Sequence, residues 1–298
     1  MNLTYGSLFA GAGGVDLGFD RAGWSPLWQI ENNPHATKVL RHWWPNSNHY
    51  EDVNQADGGE LAPVNVIVGG FPCQDVSLAG HRAGLAGNRS GLFYQFTRIV
   101  QEMRNATDNT FPSWAIWENV GGLLSTPGAL ADVYAEWDNV GAVVQEHRFI
   151  DSGRSFGVPQ RRRRVFGVAG FDPGADSGTQ ILSVPDSVRR DTLPSPSEGG
   201  SVPSSTVHGA DIESGTNPVI YASDWSRTLL TSVGSNCEYV VHADGVRRFT
   251  PQECERLMGW PDGHTAPAGS DVHRYRLCGN GVTAPAAQWV ANRIEAQL

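Results

Sequence analysis

The sequence is poor in the features that mark membrane, metal-binding and disulfide-stabilised proteins. Its four cysteines are widely spaced among 298 residues and none forms a Cys-x-x-Cys pair, so neither a zinc site nor a disulfide framework is indicated. No apolar run approaches the roughly 20 residues that span a bilayer. The N-terminus also lacks the basic and apolar segments of a signal peptide. We therefore expect a cytoplasmic protein with no membrane partner and no bound metal.

Lysine is nearly absent as well, which affects how the acidic net charge is interpreted. The formal net charge is −9, and Lys38 is the only lysine, so arginine supplies almost all the positive charge. Forked guanidinium groups suit phosphates and base edges, so local clusters are compatible with a nucleic-acid partner. Arginine codons in a GC-rich genome would give the same composition, and both interpretations stay open. The clusters are Arg154 with Arg161 to Arg164, Arg189-Arg190 and Arg247-Arg248.

Short apolar runs alternate with helix-like segments over the first 170 residues. This alternation is typical of an α/β fold in which a parallel sheet is covered by helices on both faces. A helix is predicted from Leu92 to Met103. The candidate strands are Thr4–Phe9, Leu27–Ile30, Val64–Val68, Ala115–Glu118, Ala142–His147 and Val165–Ala169.

The composition changes between about Phe171 and Asn217, where serine, glycine, proline and aspartate dominate. Such a stretch buries little apolar surface and is predicted to be loop or partly disordered. Further on, a helix should begin after Thr250, because Glu253 completes a capping box with it. A terminal helix is predicted over Ala284–Ala296.

A glycine-rich turn, Phe9-Ala10-Gly11-Ala12-Gly13-Gly14, follows the first predicted strand. Such glycines let the backbone approach a nucleotide-like ligand at the carboxyl edge of a sheet. A dinucleotide fingerprint would need a further glycine where the chain has Asp16, which disfavours NAD. Glu31 ends the second strand, where a carboxylate can accept both ribose hydroxyls, and this pattern suits S-adenosylmethionine. A tight turn beside a solvated glutamate remains the alternative.

Two further segments carry candidate reactive groups. Cys73 follows a proline after the apolar run Val64–Val68, and glycines follow it, which suits an exposed nucleophile on a mobile loop. A small buried hydrophobe is the alternative for this cysteine. Glu118 stands at the end of another strand, where its carboxyl group could be protonated or could cap a helix.

Six motifs follow one another along the chain: Phe9 to Gly14, Gly70-Phe71-Pro72-Cys73-Gln74, Glu118-Asn119-Val120, Gln160 to Arg164, Arg256-Leu257-Met258-Gly259-Trp260-Pro261 and Gly279-Asn280-Gly281-Val282. In this order they resemble the DNA (cytosine-5)-methyltransferases of prokaryotes and phages. The resemblance covers roughly residues 3–170 and 247–298. It implies a Rossmann-like S-adenosylmethionine-dependent methyltransferase sheet with a second, smaller domain. The implied divisions are a catalytic and cofactor-binding domain at 1–170, a target-recognition domain at 171–246, and a return to the catalytic domain at 247–298.

The resemblance also implies roles for individual residues. Cys73 resembles the nucleophile, and Glu118 the residue that engages cytosine N3 and the exocyclic amine. Arg164, with Arg162 close by, resembles the arginine that reaches the cytosine O2. S-adenosylmethionine, which leaves as S-adenosylhomocysteine, would be bound by Phe9, Gly11, Gly13, Gly14, Glu31, Asp52, Val53, Leu92 and Asn280. Double-stranded DNA would be contacted by Gln74, Ser77, Arg89, Arg227 and Thr228.

Other functions fit the sequence less well. The related tRNA-directed enzymes carry a Cys-Phe-Thr tripeptide that is absent here, and adenine-N6 or cytosine-N4 enzymes would need an Asp-Pro-Pro-Tyr or Ser-Pro-Pro-Tyr motif. A DNA-binding protein that has lost activity is disfavoured because Cys73, Glu118 and Arg164 are all present. We expect a monomer, and a cognate restriction endonuclease that acts separately is compatible with the family.

Overall fold

The computed structural model describes residues 3–71, 91–172, 181–183, 206–207, 222–223, 229, 239–242 and 245–298. The strands are β1 Thr4–Leu8, β2 Ser25–Ile30, β3 Asn48–Tyr50, β4 Val66–Gly70, β5 Trp114–Asn119, β6 Val144–Asp151, β7 Arg163–Gly170, β8 Thr206–Val207, β9 Ala222–Ser223, β10 Tyr239–His242 and β11 Gly245–Arg248. The helices are α1 Gly14–Arg21, α2 Pro34–Trp43, α3 Gly91–Ala106, α4 Gly122–Ser125, α5 Ala129–Asn139, α6 Ser152–Phe156, α7 Pro251–Leu257, α8 Asp271–Asn280 and α9 Ala284–Glu295. A short 3-10 turn covers Ala266–Ala268.

Seven strands form one sheet in the order β3-β2-β1-β4-β5-β7-β6, which confirms the predicted α/β methyltransferase architecture. The predicted parallel arrangement has one exception among the described strands of this sheet, β7, which runs antiparallel to both β5 and β6. The reason is the length of the connection. The connection between β6 and β7 is residues 152–162 with only the short helix α6, and a parallel crossover usually needs about a dozen residues or more.

Helices cover both faces of this sheet, as predicted. Side chains of α3 and α5, among them Phe96 and Trp137, pack against one face. The other face is covered by α1 and by α9, which comes from the end of the chain. These two helices approach closely, because a Cβ atom at Gly18 would lie 2.4 Å from the Cβ of Ala287. The C-terminal segment is therefore part of the core of the main sheet.

The middle of the chain departs in part from its predicted loop character. Ile181 and Leu182 are completely buried and pack with residues of β6, β7 and α9. The composition of the segment did not indicate this burial, because Ile181 and Leu182 are two apolar residues within a long stretch of serine, proline and other polar residues. Further on, β8 to β11 form a second, antiparallel sheet in the order β11-β10-β8-β9. The residue bounds of the two domains remain a prediction.

The return to the main domain begins with the predicted capping box. Thr250 Oγ1 accepts a hydrogen bond from the Glu253 backbone, and the Glu253 carboxylate accepts one from the Thr250 backbone. Arg247 at the end of β11 also donates to both oxygens of Glu253, at 2.8 Å each. This carboxylate therefore fixes the point where the second sheet joins α7.

Candidate active site

The glycine-rich turn after β1 combines an open side with a tightly packed side. Phe9, Gly11 and Gly13 all have positive φ, at 55°, 57° and 77°. A Cβ atom at Gly11 would meet nothing within 4 Å, whereas one at Gly13 would lie 2.3 Å from the Trp44 ring and one at Gly14 2.4 Å from the Val282 carbonyl. Gly11 therefore leaves room for a ligand, while Gly13 and Gly14 permit close packing behind the turn.

Glu31 is held between this turn and the start of α2. One carboxylate oxygen accepts the Gly11 N–H at 2.7 Å and the other accepts the Asn33 N–H at 2.7 Å. Burial raises the pKa of Glu31, and the hydrogen bonds from Asn33 and Gly11 oppose that rise. The carboxylate is thus a structural part of the turn as well as the group predicted to hold a ribose.

The other predicted cofactor residues lie around the same edge. Asp52 and Val53 follow β3, as Phe9 follows β1 and Glu31 follows β2, so these residues stand at the carboxyl ends of three neighbouring strands. Val53 is buried, and its carbonyl accepts a hydrogen bond from Arg98 at 2.8 Å. Leu92, in the first turn of α3, packs against the same core cluster as Phe9. Asn280 is exposed at the end of α8.

Glu118 and Arg164 form an ion pair at the end of β5. Arg164 Nε lies 2.9 Å from Glu118 Oε1, and the two side chains are 13% and 12% exposed. Burial raises the pKa of Glu118, and the positive charges of Arg164 and Arg162 oppose that rise. This carboxyl group therefore lies in a setting where its proton occupancy responds to a neighbouring charge.

The segment that leads to Cys73 runs beside this ion pair. Asn119 Nδ2 donates to the Phe71 carbonyl at 3.2 Å, which joins the end of β5 to the end of β4. A Cβ atom at Gly70 would lie 2.9 Å from Glu118 Oε2, so glycine is needed for the carboxylate to sit there. Cys73 itself lies outside the described residues, as do Gln74, Ser77, Arg89, Arg227 and Thr228.

Arg162 occupies a different environment from Arg164. Its side chain is completely buried, and Nη2 donates to the carbonyls of Gly279, at 2.8 Å, and Gly281. Its Nη1 reaches the Leu229 carbonyl at 3.4 Å. These contacts join β7 to the turn that holds Asn280 and to the middle of the chain. They support a positioning role, whereas the predicted contact with the base is better suited to Arg164.

Sequence reasoning missed two buried groups near the glycine-rich turn. His264 is completely buried, and its Nε2 lies 2.6 Å from the Ala12 carbonyl oxygen. Asp16 is also buried, where it accepts hydrogen bonds from Gln29, at 2.6 Å, and Ser7. For Asp16 the available signal was its place where a dinucleotide fingerprint has glycine. No sequence signal distinguished His264.

The described residues contain neither a candidate metal site nor a candidate membrane span. They hold no cluster of three or more histidine, cysteine, aspartate or glutamate side chains that could bind a metal. None of the helices in this part of the chain has the length and hydrophobicity of a membrane span.

Comparison with known proteins identifies the family. The C-5 cytosine-specific DNA methylase family matches residues 3–187 and 189–296. The type II methyltransferase M2.BsuMI of Bacillus subtilis is 30% identical over 97% of this chain and 74% of its own. The DNA N-6-adenine-methyltransferase of Escherichia phage P1 is 23% identical over 98% of this chain and 61% of its own. The crystal structure of the S. pombe Dnmt2 methyltransferase shares the fold, with a TM-score of 0.72 at 16% identity over 100% of this chain and 98% of that one. The chain therefore belongs to the family of C-5 cytosine-specific DNA methylases and is a DNA cytosine-5 methyltransferase.

Proposed function

We propose that the enzyme transfers a methyl group from S-adenosylmethionine to C5 of a cytosine that is flipped out of duplex DNA, through a covalent adduct between Cys73 and C6. The observation that carries this proposal is the Glu118–Arg164 ion pair beside the backbone that leads to Cys73. A carboxyl group, a guanidinium and a thiol are the groups that this reaction needs, and the first two lie beside the strand that precedes Cys73 in the sequence.

The glycine-rich turn and Glu31 fit the cofactor. Gly11 leaves an open side where the backbone can approach a ligand, and Glu31 stands at the end of the neighbouring strand with a fixed carboxylate. The strand order places this turn where β1 lies between β2 and β4, which is the usual position of a nucleotide-like ligand in such sheets. We propose that the adenosine of S-adenosylmethionine is surrounded by Phe9, Glu31, Asp52, Val53, Leu92 and Asn280. Gly11 would face the remaining part of the cofactor.

The chain's own residues would activate the base. The Cys73 thiolate adds to C6 of cytosine, and the electron pair of the C5–C6 double bond then becomes available at C5. Glu118 in its protonated form would hold N3, and Arg164 would hold O2, where negative charge develops. Bound S-adenosylmethionine supplies the electrophilic methyl group. A base then removes the C5 proton, the double bond re-forms, and the bond between C6 and the cysteine sulfur breaks.

Glu118 is suited to this role by its surroundings. Its pKa is raised by burial, so the carboxyl group retains its proton more readily than an exposed glutamate. Arg164 limits the rise by favouring the charged form. In its protonated form the carboxyl group can donate to N3 and stabilise the ring as charge builds.

Base flipping and sequence recognition are assigned to segments in which the proposed DNA-contacting residues lie outside the described part of the chain. The target cytosine must leave the stack at a cost of a few kcal/mol, because its C6 is unreachable in a duplex. We propose that Gln74, Ser77 and Arg89 contact the DNA in the segment after Cys73, and that Arg227 and Thr228 belong to a target-recognition domain at 171–246. We further propose a monomer that acts in restriction–modification, separately from any cognate endonuclease.

Bisulfite sequencing of DNA from cells that express the protein tests the proposed activity. We expect protected cytosines in one short sequence context with the wild-type enzyme and none with Cys73→Ser. Protection that persists in Cys73→Ser would exclude the covalent mechanism. Mass spectrometry of the nucleosides from the same DNA tests the base, and methylated adenine in place of methylated cytosine would exclude the proposed substrate, an outcome worth testing because the phage P1 relative carries an adenine-N6 name.

A further inference from the structure

His264 lies at the centre of three tryptophans behind the glycine-rich turn. Its ring stacks on Trp43, with centroids 5.4 Å apart and planes 20° apart. Trp260 meets it edge-on at 5.2 Å and Trp44 at 6.2 Å. The Trp43 indole also donates to the His264 carbonyl at 2.9 Å. The imidazole is therefore enclosed by aromatic rings that restrict its orientation.

The same tryptophans touch the turn. The rings of Trp44 and Trp260 approach Gly13 and Gly14 so closely that a Cβ atom would lie 2.3 Å and 2.8 Å from them. Trp260 is itself fixed by a 3.0 Å hydrogen bond from Nε1 to the Val282 carbonyl. The glycine-rich turn, the tryptophans and the imidazole of His264 thus pack together as one unit. Within this unit, the turn faces the proposed cofactor site.

The hydrogen bond from His264 fixes the carbonyl of Ala12, a residue with a glycine on each side. Nε2 lies 2.6 Å from the Ala12 carbonyl oxygen. A carbonyl oxygen only accepts, so Nε2 must carry the proton. Ala12 lies between Gly11 and Gly13, whose positive φ values are accessible to glycine alone at low cost. Without a fixed donor to its carbonyl oxygen, this peptide can rotate more easily than its neighbours.

The direction of one peptide sets the direction of the next donor. In a trans peptide the C=O and N–H groups point opposite ways. When His264 holds the Ala12 oxygen at the rear, the Gly13 N–H is directed to the Ala10 carbonyl, which it reaches at 2.9 Å. On the front, Gly11 N–H is held by Glu31. The turn is therefore clamped from the rear by His264 and from the front by Glu31.

We infer that His264 is a positioning residue for the cofactor-binding turn, and that it acts as a neutral imidazole with its proton on Nε2. The inference rests on the proposed cofactor site. The opposite nitrogen agrees with it, because Nδ1 is buried without a hydrogen-bond partner among the described residues. A proton on Nδ1 would have no acceptor there, so the charged ring is disfavoured.

The charged groups around the ring allow this neutral state. Burial lowers the pKa of His264, and Arg21 and His42 act in the same direction. The Ala12 carbonyl and Glu255 oppose them. Glu255 is itself committed elsewhere, because its carboxylate accepts from Arg274 at 3.0 Å and from the backbone of Gly263 and Thr265. The negative charge of Glu255 is therefore balanced by Arg274 and by backbone donors.

Three variants separate the hydrogen bond from the packing. His264→Phe keeps an aromatic ring in the cage and removes the donor, and His264→Gln restores an N–H near the position of Nε2. His147→Phe is the matched control, since this half-buried histidine contacts Tyr134 on the far side of the sheet. S-adenosylmethionine affinity is measured by calorimetry, DNA affinity by anisotropy, and the turn itself by the amide resonances of Gly11 and Gly13 without cofactor.

We expect His264→Phe to bind S-adenosylmethionine about tenfold more weakly, the scale of one hydrogen bond. His264→Gln should return to within about threefold of wild type, and DNA affinity should be unchanged. The Gly11 and Gly13 amides should move in His264→Phe and stay near wild type in His264→Gln. Wild-type affinity and amide positions in His264→Phe would overturn the inference, and so would a glutamine variant no better than phenylalanine.

Nitrogen-15 spectra of the wild-type imidazole decide the matter even if a variant does not fold. The inference requires the Nε2–H form and a neutral ring at pH 6, and an Nδ1–H ring or a charged ring there overturns it. Failure of the wild-type protein to bind S-adenosylmethionine would contradict the proposed function instead. In that case the amide and imidazole spectra still report on the clamp.

Discussion

Arg164 Nε lies 2.9 Å from Glu118 Oε1, and both side chains are largely removed from solvent. The pair joins β5 to β7, the one strand that reverses direction in the main sheet. Burial raises the pKa of Glu118, and the positive charge of Arg164 opposes that rise by favouring the charged form. The ion pair therefore sets the charge state of the carboxyl group that is proposed to engage the cytosine ring.

Arg164→Ala should slow methyl transfer without abolishing the fold. Loss of a donor aimed at developing charge typically costs about 10²–10³ in rate, and the pKa of Glu118 should rise further. Single-turnover methylation at saturating DNA measures this effect. Arg163→Ala is the matched control, since this neighbouring arginine is 57% exposed and pairs with Asp151. Equal losses in the two variants would contradict a specific role for Arg164.

Glu31→Ala should weaken S-adenosylmethionine binding by roughly 1.5–3 kcal/mol, the scale of a charged hydrogen-bond partner. Part of the loss should come from the turn, since the Gly11 and Asn33 N–H groups lose their acceptor. Glu31→Gln retains one acceptor oxygen, so its affinity for S-adenosylmethionine should lie between those of the wild type and Glu31→Ala. Calorimetry provides the measurement, with the exposed Glu51→Ala as control. Unchanged affinity in Glu31→Ala would mean that this carboxylate does not bind the cofactor.

Asp16→Asn should make the protein more stable at alkaline pH. Burial raises the pKa of Asp16 to about 7. Its contribution to stability is therefore fully present below the ordinary pKa of 3.8 and is lost as the pH rises through 7. Asparagine stays neutral, so its advantage over aspartate should grow with pH to on the order of 2 kcal/mol at pH 8.

Urea unfolding at pH 5 and pH 8 measures that difference. Asp132→Asn, on the exposed side of α5, is the control and should show no comparable pH-dependent gain. An Asp16→Asn protein that gains nothing between pH 5 and pH 8 would show that the carboxyl group is not held in its neutral form.

Arg162→Lys should destabilise the protein by about 3 kcal/mol, even though the positive charge is kept. Lysine lacks the fork that reaches the carbonyls of Gly279, Gly281 and Leu229 together. We also expect weaker cofactor binding, because Asn280 lies between two of these carbonyls. Thermal unfolding and calorimetry measure the two effects. Wild-type stability in Arg162→Lys would contradict the positioning role.

The fold was predictable wherever local pattern decides it. The strand that contains Glu118 and the capping box of Thr250 and Glu253 both follow from short-range rules, and both are present. The reversal of β7 was not predictable from its own residues, because direction depends on how short the preceding connection is. Ile181 and Leu182 were missed because their neighbours dominate the composition.

In the candidate site, local sequence also fails to predict the environments of the four arginines Arg161 to Arg164. Four identical side chains carry no local difference, yet Arg162 is completely buried, Arg163 is 57% exposed and Arg164 is 13% exposed. Arg162 lies just before β7, whereas Arg163 and Arg164 begin that strand and point to opposite faces, and only the tertiary structure shows what surrounds each side chain. His264 likewise acquires its contact with Ala12 through the return of the chain.

Covalent trapping on 5-fluorocytosine tests the central claim most directly. Fluorine cannot leave C5 as a proton does, so an enzyme that adds a thiolate to C6 and methylates C5 should remain attached to the duplex. With S-adenosylmethionine present, the account predicts a denaturation-resistant adduct whose cross-linked peptide contains Cys73, and no adduct with Cys73→Ser. Methyl transfer to ordinary cytosine without any adduct on the fluorinated duplex, or an adduct through another residue, would contradict it.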